Sequence, residues 1–312
     1  MSTLAKPVGL GFGLLGTTNT APIPDAEARR MMAAAWEMGI RRFDTAPLYG
    51  GGLSEDRLGR LLQGLPRGDY VLSTKVGRYR DYAATVTNPK DNPGDWRDYS
   101  RDATLRSVET SLNRLGTDRL DIAFVHDCDE DITGALDGAL PALAELKAQG
   151  VVGAIGCGSN LAATHMAVVE HADPDVLMVA GRFTLLDQSA AQVLFPRCMS
   201  RGIEVELAAP FNSGILATGA DAPGTRFDYQ PPDDNIRARV RAIQGICDAH
   251  GISLKRAALH YSAAHPAVTR LVLGLTGPEG LHSNLDDLAA PVPPGLWPAL
   301  AELGIPEPGK EA

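Results

Sequence analysis

Cysteine is scarce and scattered in this chain of 312 residues: Cys128, Cys157, Cys198 and Cys247 are its only four, and no two form a CxxC pair. That spacing indicates neither a zinc ribbon nor a disulfide framework, and a reducing cytoplasm is the simplest home for it. No stretch approaches the ~18 uninterrupted apolar residues of a membrane span, and the segment from Met1 to Pro7 has no apolar leader pattern. Clustered Lys and Arg are missing as well. With a formal net charge of -9, the chain lacks the cation density that neutralises phosphates, which argues against sequence-independent nucleic-acid binding. No Ser/Gly-rich linker divides it. These absences point to a soluble cytoplasmic protein whose partners are small molecules, with no nucleic acid and no membrane. They do not choose between a monomer and a small homo-oligomer.

What is present is a regular alternation. A composition of 44% hydrophobic and 21% charged residues fits one large α/β domain or two ordinary ones. Apolar runs predict eight strands at 8–12, 42–44, 70–75, 120–126, 152–156, 176–179, 204–207 and 271–274. Helical patterns lie between and after them, at 25–38, 54–62, 99–115, 135–148, 161–170, 188–199, 234–250 and 278–288. Eight strand-then-helix units are what a closed parallel barrel requires, with a ~250-residue core plus insertions. Two segments exceed the usual ~2–6 residue connection, at about 76–100 and 210–233. Both leave carboxyl ends of strands, so they are expected to form lids or pocket walls. The first carries Tyr79, Tyr82 and Trp96, and Trp96 is the candidate for contact with a substrate face.

The strand ends carry the chemistry. Asp44, Lys75 and His126 each terminate an apolar run, and Tyr49 lies five positions beyond Asp44. Groups at the carboxyl ends of successive parallel strands share the face on which such folds do chemistry. A tyrosine is a poor base at neutral pH unless a cation stabilises its phenolate, and Lys75 can be that cation. Asp44 then holds Lys75 charged, and His126 hydrogen-bonds the oxygen of a carbonyl or alcohol. Each residue alone has a structural explanation; their joint placement favours catalysis. The other histidines (His165, His171, His250, His260, His265, His282) show no metal-ligand spacing and are expected at solvent-exposed helix positions. Cys128 has no base partner adjacent in sequence and is expected to line the pocket rather than act as a nucleophile.

Gly11, Gly13 and Gly16 spell GxGxxG, with Asp44 at the end of the next strand. A Rossmann turn needs a helix opening at the third glycine. Residues 17–24 contain Pro22 and Pro24 and no helical period, so a helix cannot begin before about Asp25. The glycines are better read as letting the first strand turn at the floor of a pocket.

Asp44-Thr45-Ala46-Pro47-Leu48-Tyr49-Gly50, then Ser54-Glu55, Leu58-Gly59, Ser73-Thr74-Lys75, His126-Asp127 and Pro210-Phe211-Asn212-Ser213-Gly214, occur in order. Over residues 8–290 the chain resembles the aldo-keto reductase superfamily. The branch it is most similar to contains L-fucose and D-threo-aldose 1-dehydrogenases, L-galactose dehydrogenase and pyridoxal 4-dehydrogenase. The resemblance implies a single-domain (β/α)8 TIM barrel over 1–312 that binds NAD(P) without a Rossmann domain. It implies a catalytic tetrad of Asp44, Tyr49, Lys75 and His126. It places Ser159 and Asn160 on the nicotinamide carboxamide, Ser213, Gly214 and Ile215 at the pyrophosphate, and Gly274, Gly280 and Asn284 in the cofactor loop after the last strand. Ala180 and Ala208 stand where the family usually has a glutamine and a stacking tyrosine, so Phe211 is the candidate to stack on nicotinamide. No cation follows strand 8, and Glu279 lies there, so NAD is expected over NADP. The implied activity is oxidation of the anomeric hydroxyl of a monosaccharide to a lactone. Pyridoxal oxidation or general aldehyde reduction on the same site is the alternative, and a non-catalytic nucleotide-binding subunit is the alternative of a different class.

Overall fold

Strands buried on both faces read as continuous apolar runs, because a parallel sheet covered by helices has no wet side. The computed structural model describes residues 7–11, 13, 23–80, 95–274 and 277–309, and in it such runs form eight of the ten strands. They are β1 (Val8–Gly11), β2 (Arg42–Asp44), β3 (Val71–Val76), β6 (Leu120–His126), β7 (Val152–Ser159), β8 (Val176–Ala180), β9 (Glu204–Ala208) and β10 (Val268–Gly274). Hydrogen bonding closes them into a parallel barrel in the order β1-β10-β9-β8-β7-β6-β3-β2. The other two, β4 (Arg78–Arg80) and β5 (Asp95–Arg97), form an antiparallel ribbon inside the expected loop at 76–100, with Tyr79 opposite Trp96. Of that loop, residues 81–94 with Tyr82 lie outside the described residues, as do Phe12 and Gly16.

All eight predicted strands are present, with ends shifted by a few residues; β7 and β10 are the most extended, to Ser159 and back to Val268. A helix spans Asp25–Glu37; residues 14–22, to which the proline argument applies, lie outside the described residues. The helices Leu254–Ala264 and Leu296–Ala301 were not anticipated; Ser253 caps the first by accepting from the Arg256 amide at 3.1 Å. The segment at 210–233 holds a turn at Asn212–Gly214 and a short helix at Ile215–Thr218. Among the described residues, no helix is long and apolar enough to cross a membrane.

By packing, the chain forms two compact units. The larger draws on Val8–Met178 and Val272–Leu281, and its fully buried residues include Phe43, Leu72, Phe124 and Val125. The other draws on Met1–Pro7, Val179–Leu271 and His282–Ala312. In it Phe183 packs against Phe195 and Tyr261 at ring distances of 5.4 and 5.1 Å.

In the larger unit the parallel register aligns the strand ends. Gly11 pairs with Asp44, Asp44 with Ser73, Lys75 with Phe124 and His126 with Gly158. The closest approach is at Gly156 in β7, where an added Cβ would lie 1.6 Å from the Val176 carbonyl oxygen. That neighbour is backbone and cannot swing away. Gly156→Ala is therefore expected to destabilise the protein by about 2–4 kcal/mol. Denaturant unfolding measures this, and a change within ~0.5 kcal/mol would mean that the two strands separate easily.

Candidate active site

Asp44 ends β2, and its carboxylate is almost fully buried. Lys75, one residue before the end of β3, places Nζ 2.5 Å from Asp44 Oδ2 and 2.9 Å from the Thr45 carbonyl. Ser73 Oγ donates to the other carboxylate oxygen of Asp44, and Arg42 donates to Ser73 Oγ at 2.8 Å. A buried ion pair persists only when its remaining lone pairs and protons are satisfied, and this network does so. Burial alone would discharge Lys75. Asp44 and the Tyr49 hydroxyl outweigh that effect and raise its pKa above the ordinary lysine value, so it stays an ammonium.

Tyr49 reaches the same place on a pinned loop. Thr45 Oγ1 bonds Ser54 Oγ at 2.8 Å across it, and the Ser54 amide donates to the Tyr49 carbonyl at 3.2 Å. Between them Gly50, Gly51 and Gly52 take φ of 65, 64 and 94°, a left-handed run that only glycine adopts cheaply. The ring of Tyr49 lies 5.0 Å from Lys75 Nζ and 5.8 Å from the His126 ring, edge-on. An added Cβ on Gly13 would touch it at 4.0 Å, so the end of strand 1 does approach the tyrosine. Burial pushes the Tyr49 phenol above its usual pKa, while Lys75 pulls it down and Asp44 pushes it up again. The expected lowering by Lys75 is thus present but is exceeded by desolvation. The hydroxyl is therefore protonated at neutral pH.

His126 ends β6, is 6% exposed, and is held neutral by burial and by the charges of Lys75 and Arg78. Its Nδ1 is buried with no partner among the described residues. A neutral imidazole carries one N–H, so it can donate a hydrogen bond without adding charge. All four tetrad residues thus meet within the larger unit.

The remaining candidates divide by unit. In the larger one Ser159 ends β7, where its Oγ donates to Asp129 Oδ1 at 2.6 Å and accepts from the Leu161 amide at 2.9 Å; Asn160 follows, partly exposed. Gly274 closes β10, and Gly280 lies in the helix Pro278–Ala289. In the other unit Phe211 precedes a turn in which Asn212, Ser213 and Gly214 take φ of 45, 62 and 109°. There the Tyr229 amide donates to Ser213 Oγ at 2.9 Å, Ile215 is fully buried, and Asn284 is 6% exposed. Trp96 is 49% exposed, packs on Tyr79 at 5.8 Å, and lines a pocket of about 360 Å³ with Pro47, Arg80, Arg106 and Arg114. None of the tetrad lines that pocket.

Two expectations need correction. His165 and His265 are not solvent-exposed: His165 is fully buried with Nε2 3.0 Å from the Ser159 carbonyl, because its helix turns that face toward β7, and His265 is buried against the Phe183 and Phe195 rings at 5.1 and 4.8 Å. Cys128 is fully buried 3.8 Å from Cys157 and lines no pocket surface. Sequence reasoning gave no role to Asp127, Arg78 or Tyr99, and met Asp127 only within the His126-Asp127 motif. Tyr99 Oη donates to the carbonyls of both His126 and Asp127, at 2.8 and 2.9 Å. Adjacency to His126 and Lys75 was the available signal for the first two; Tyr99 had none.

The aldo/keto reductase family model matches residues 7–304. The chain belongs to the aldo/keto reductase family. Members use NAD(P)(H) and act on CH–OH groups, so this reductase is an oxidoreductase. It is 39% identical to a D-threo-aldose 1-dehydrogenase from Pseudomonas sp, over 96% of this chain and 94% of that protein. It is 34% identical to a pyridoxal 4-dehydrogenase from Microbacterium luteolum over the same shares. An L-galactose dehydrogenase from Arabidopsis thaliana is 29% identical, over 89% of this chain and 82% of that one. The reductase shares its fold with a holo aldo-keto reductase from Bacillus halodurans at a TM-score of 0.76 and 24% identity, covering 99% and 96% of the two chains.

Proposed function

We propose that this reductase is a cytoplasmic NAD-dependent dehydrogenase that oxidises the anomeric hydroxyl of an aldose to the lactone. The observation that carries the reading is the charged Lys75 between the Asp44 carboxylate and the Tyr49 ring, with a neutral His126 at the edge of that ring. In oxidation the Tyr49 phenolate, which Lys75 stabilises, takes the proton of the reacting hydroxyl and becomes the phenol; in reduction the phenol gives that proton back. Asp44 keeps Lys75 charged and oriented. His126 donates to the reacting oxygen and, being neutral, does not compete for the proton. A bound NAD(P) would supply the hydride acceptor.

The chain's own residues fit such a cofactor. Successive left-handed residues at Asn212, Ser213 and Gly214 make the kind of backbone concavity that receives anions. Asn212 Oδ1 is buried with no partner among the described residues, which leaves an acceptor to be satisfied. Ser213, Gly214 and Ile215 would hold the pyrophosphate, Phe211 would stack, and Ser159 and Asn160 would hold the carboxamide. The aldose is favoured by the 39% identity to a D-threo-aldose 1-dehydrogenase; pyridoxal is the second reading, favoured by the 34% relative. A screen of aldoses, pyridoxal and aromatic aldehydes with NAD and NADP, followed at the nicotinamide absorbance, tests both. Tight NAD binding with no turnover on any substrate would instead support a non-catalytic nucleotide-binding subunit.

The preference for NAD is supported by charge. Glu279 and Glu27 carboxylate oxygens stand 3.3 and 3.4 Å from where a Cβ of Gly277 would be, and a 2′-phosphate there would meet two carboxylates. Arg270, the nearest cation in sequence, sits early in β10 and pairs with Glu206 at 3.4 Å. Gly280→Arg is expected to move kcat/KM toward NADP by ~10- to 100-fold by supplying a planar partner for phosphate. Paired titrations of wild type and variant measure it; tighter NADP binding by the wild type would overturn the preference.

A further inference from the structure

Asp127 adopts φ 44° and ψ 56°, a left-handed conformation that a residue with a side chain rarely takes unless its surroundings hold it. Here they do. Tyr99 Oη clamps the carbonyls on either side of the Asp127 amide, and that amide donates to the Gly158 carbonyl at 2.8 Å. The turn carries the Asp127 carboxylate back to the tetrad, with Oδ2 3.6 Å from His126 Nε2 and 2.5 Å from Arg78 Nη1. Arg78, in turn, opens β4 three residues after Lys75. The pair is 21% and 26% exposed, and no donor among the described residues meets Asp127 Oδ1. Both charges reach the reacting groups: Asp127 raises the Tyr49 phenol and Arg78 lowers His126.

The tetrad accounts for one substrate oxygen. An ion pair beside it, with one carboxylate oxygen open, is suited to a second, because a hydroxyl both donates and accepts. Neighbouring hydroxyls of a sugar lie within hydrogen-bond distance of one another. A reacting oxygen held on His126 therefore brings the next hydroxyl toward Asp127. We propose that the Arg78–Asp127 pair recognises a hydroxyl on the carbon adjacent to the reacting carbon, and so selects 2-hydroxylated substrates. This rests on Tyr49 and His126 being the groups that meet the reacting oxygen. Sites built to bond a hydroxyl discriminate strongly against the analogue that lacks it, since their own polar groups are then left unpaired.

The test compares substrates that differ only in that hydroxyl: L-fucose with 2-deoxy-L-fucose in oxidation, and 2-hydroxypropanal with propanal in reduction. Wild type is expected to favour the hydroxylated member by at least ~10²-fold in kcat/KM. Asp127→Asn and Arg78→Met are each expected to cut that ratio by ~10-fold or more. A ratio taken within one variant cancels loss of folded enzyme, and Arg78→Lys, which keeps the charge, is expected to retain most of it. A brace for the loop would lower both members of a pair alike and leave the ratio unchanged, which would overturn the inference while aldose oxidation stands. Reduction of 2-hydroxypropanal without oxidation of any aldose would overturn the aldose reading, and the aldehyde ratio would still decide for or against the pair. No turnover with either pair would overturn both.

Discussion

Replacing Tyr49 by phenylalanine is expected to lower kcat by at least ~10²-fold while leaving NAD affinity within about threefold. The variant keeps the ring whose edge meets His126 and whose face lies 5.0 Å from Lys75 Nζ, and it removes only the hydroxyl. Water in its place is too weak a base to take over the proton transfer at neutral pH. Steady-state rates with a binding titration for NAD separate the two effects. Turnover within fivefold of wild type would remove Tyr49 from the proton path.

The Lys75→Met variant is expected to lose rate and stability together. Its ammonium is one half of a pair in which each side chain is 3% exposed, and deleting one partner strands a buried charge at a cost of about 3–5 kcal/mol. The rate effect has a defined sign. Oxidation needs Tyr49 able to accept a proton, so activity rises as pH approaches the phenol pKa. Lys75 lowers that pKa, and its loss moves the rise to higher pH; in reduction, which needs the protonated phenol, the alkaline fall moves the same way. A pH-rate profile on folded variant, with unfolding followed in parallel, reads both. An unmoved profile would leave Lys75 a structural role alone.

The barrel was legible because its signal is local. Each buried strand is a short apolar run, and Asp44, Lys75 and His126 lie at or within one residue of the ends of β2, β3 and β6. The ribbon β4–β5 was not legible, since three residues with two arginines carry too little periodicity and its partners are separated by the 81–94 segment. The helix Leu254–Ala264 could have been found from Ser253, a capping residue after Gly251. His165 was misjudged because a single histidine on a helix does not reveal which face the barrel covers.

The chain's order of apolar runs and turns determined the eight strands and the sharing of one face by the tetrad. These follow from residue spacing and backbone sterics, which act over a few positions. Only the tertiary structure decided the charge states and the neighbours. Tyr49 stays protonated because desolvation exceeds the pull of Lys75, and the Arg78–Asp127 pair joins residues 49 positions apart. Desolvation and long-range ion pairing depend on what the fold packs around a group, and no local pattern carries that information.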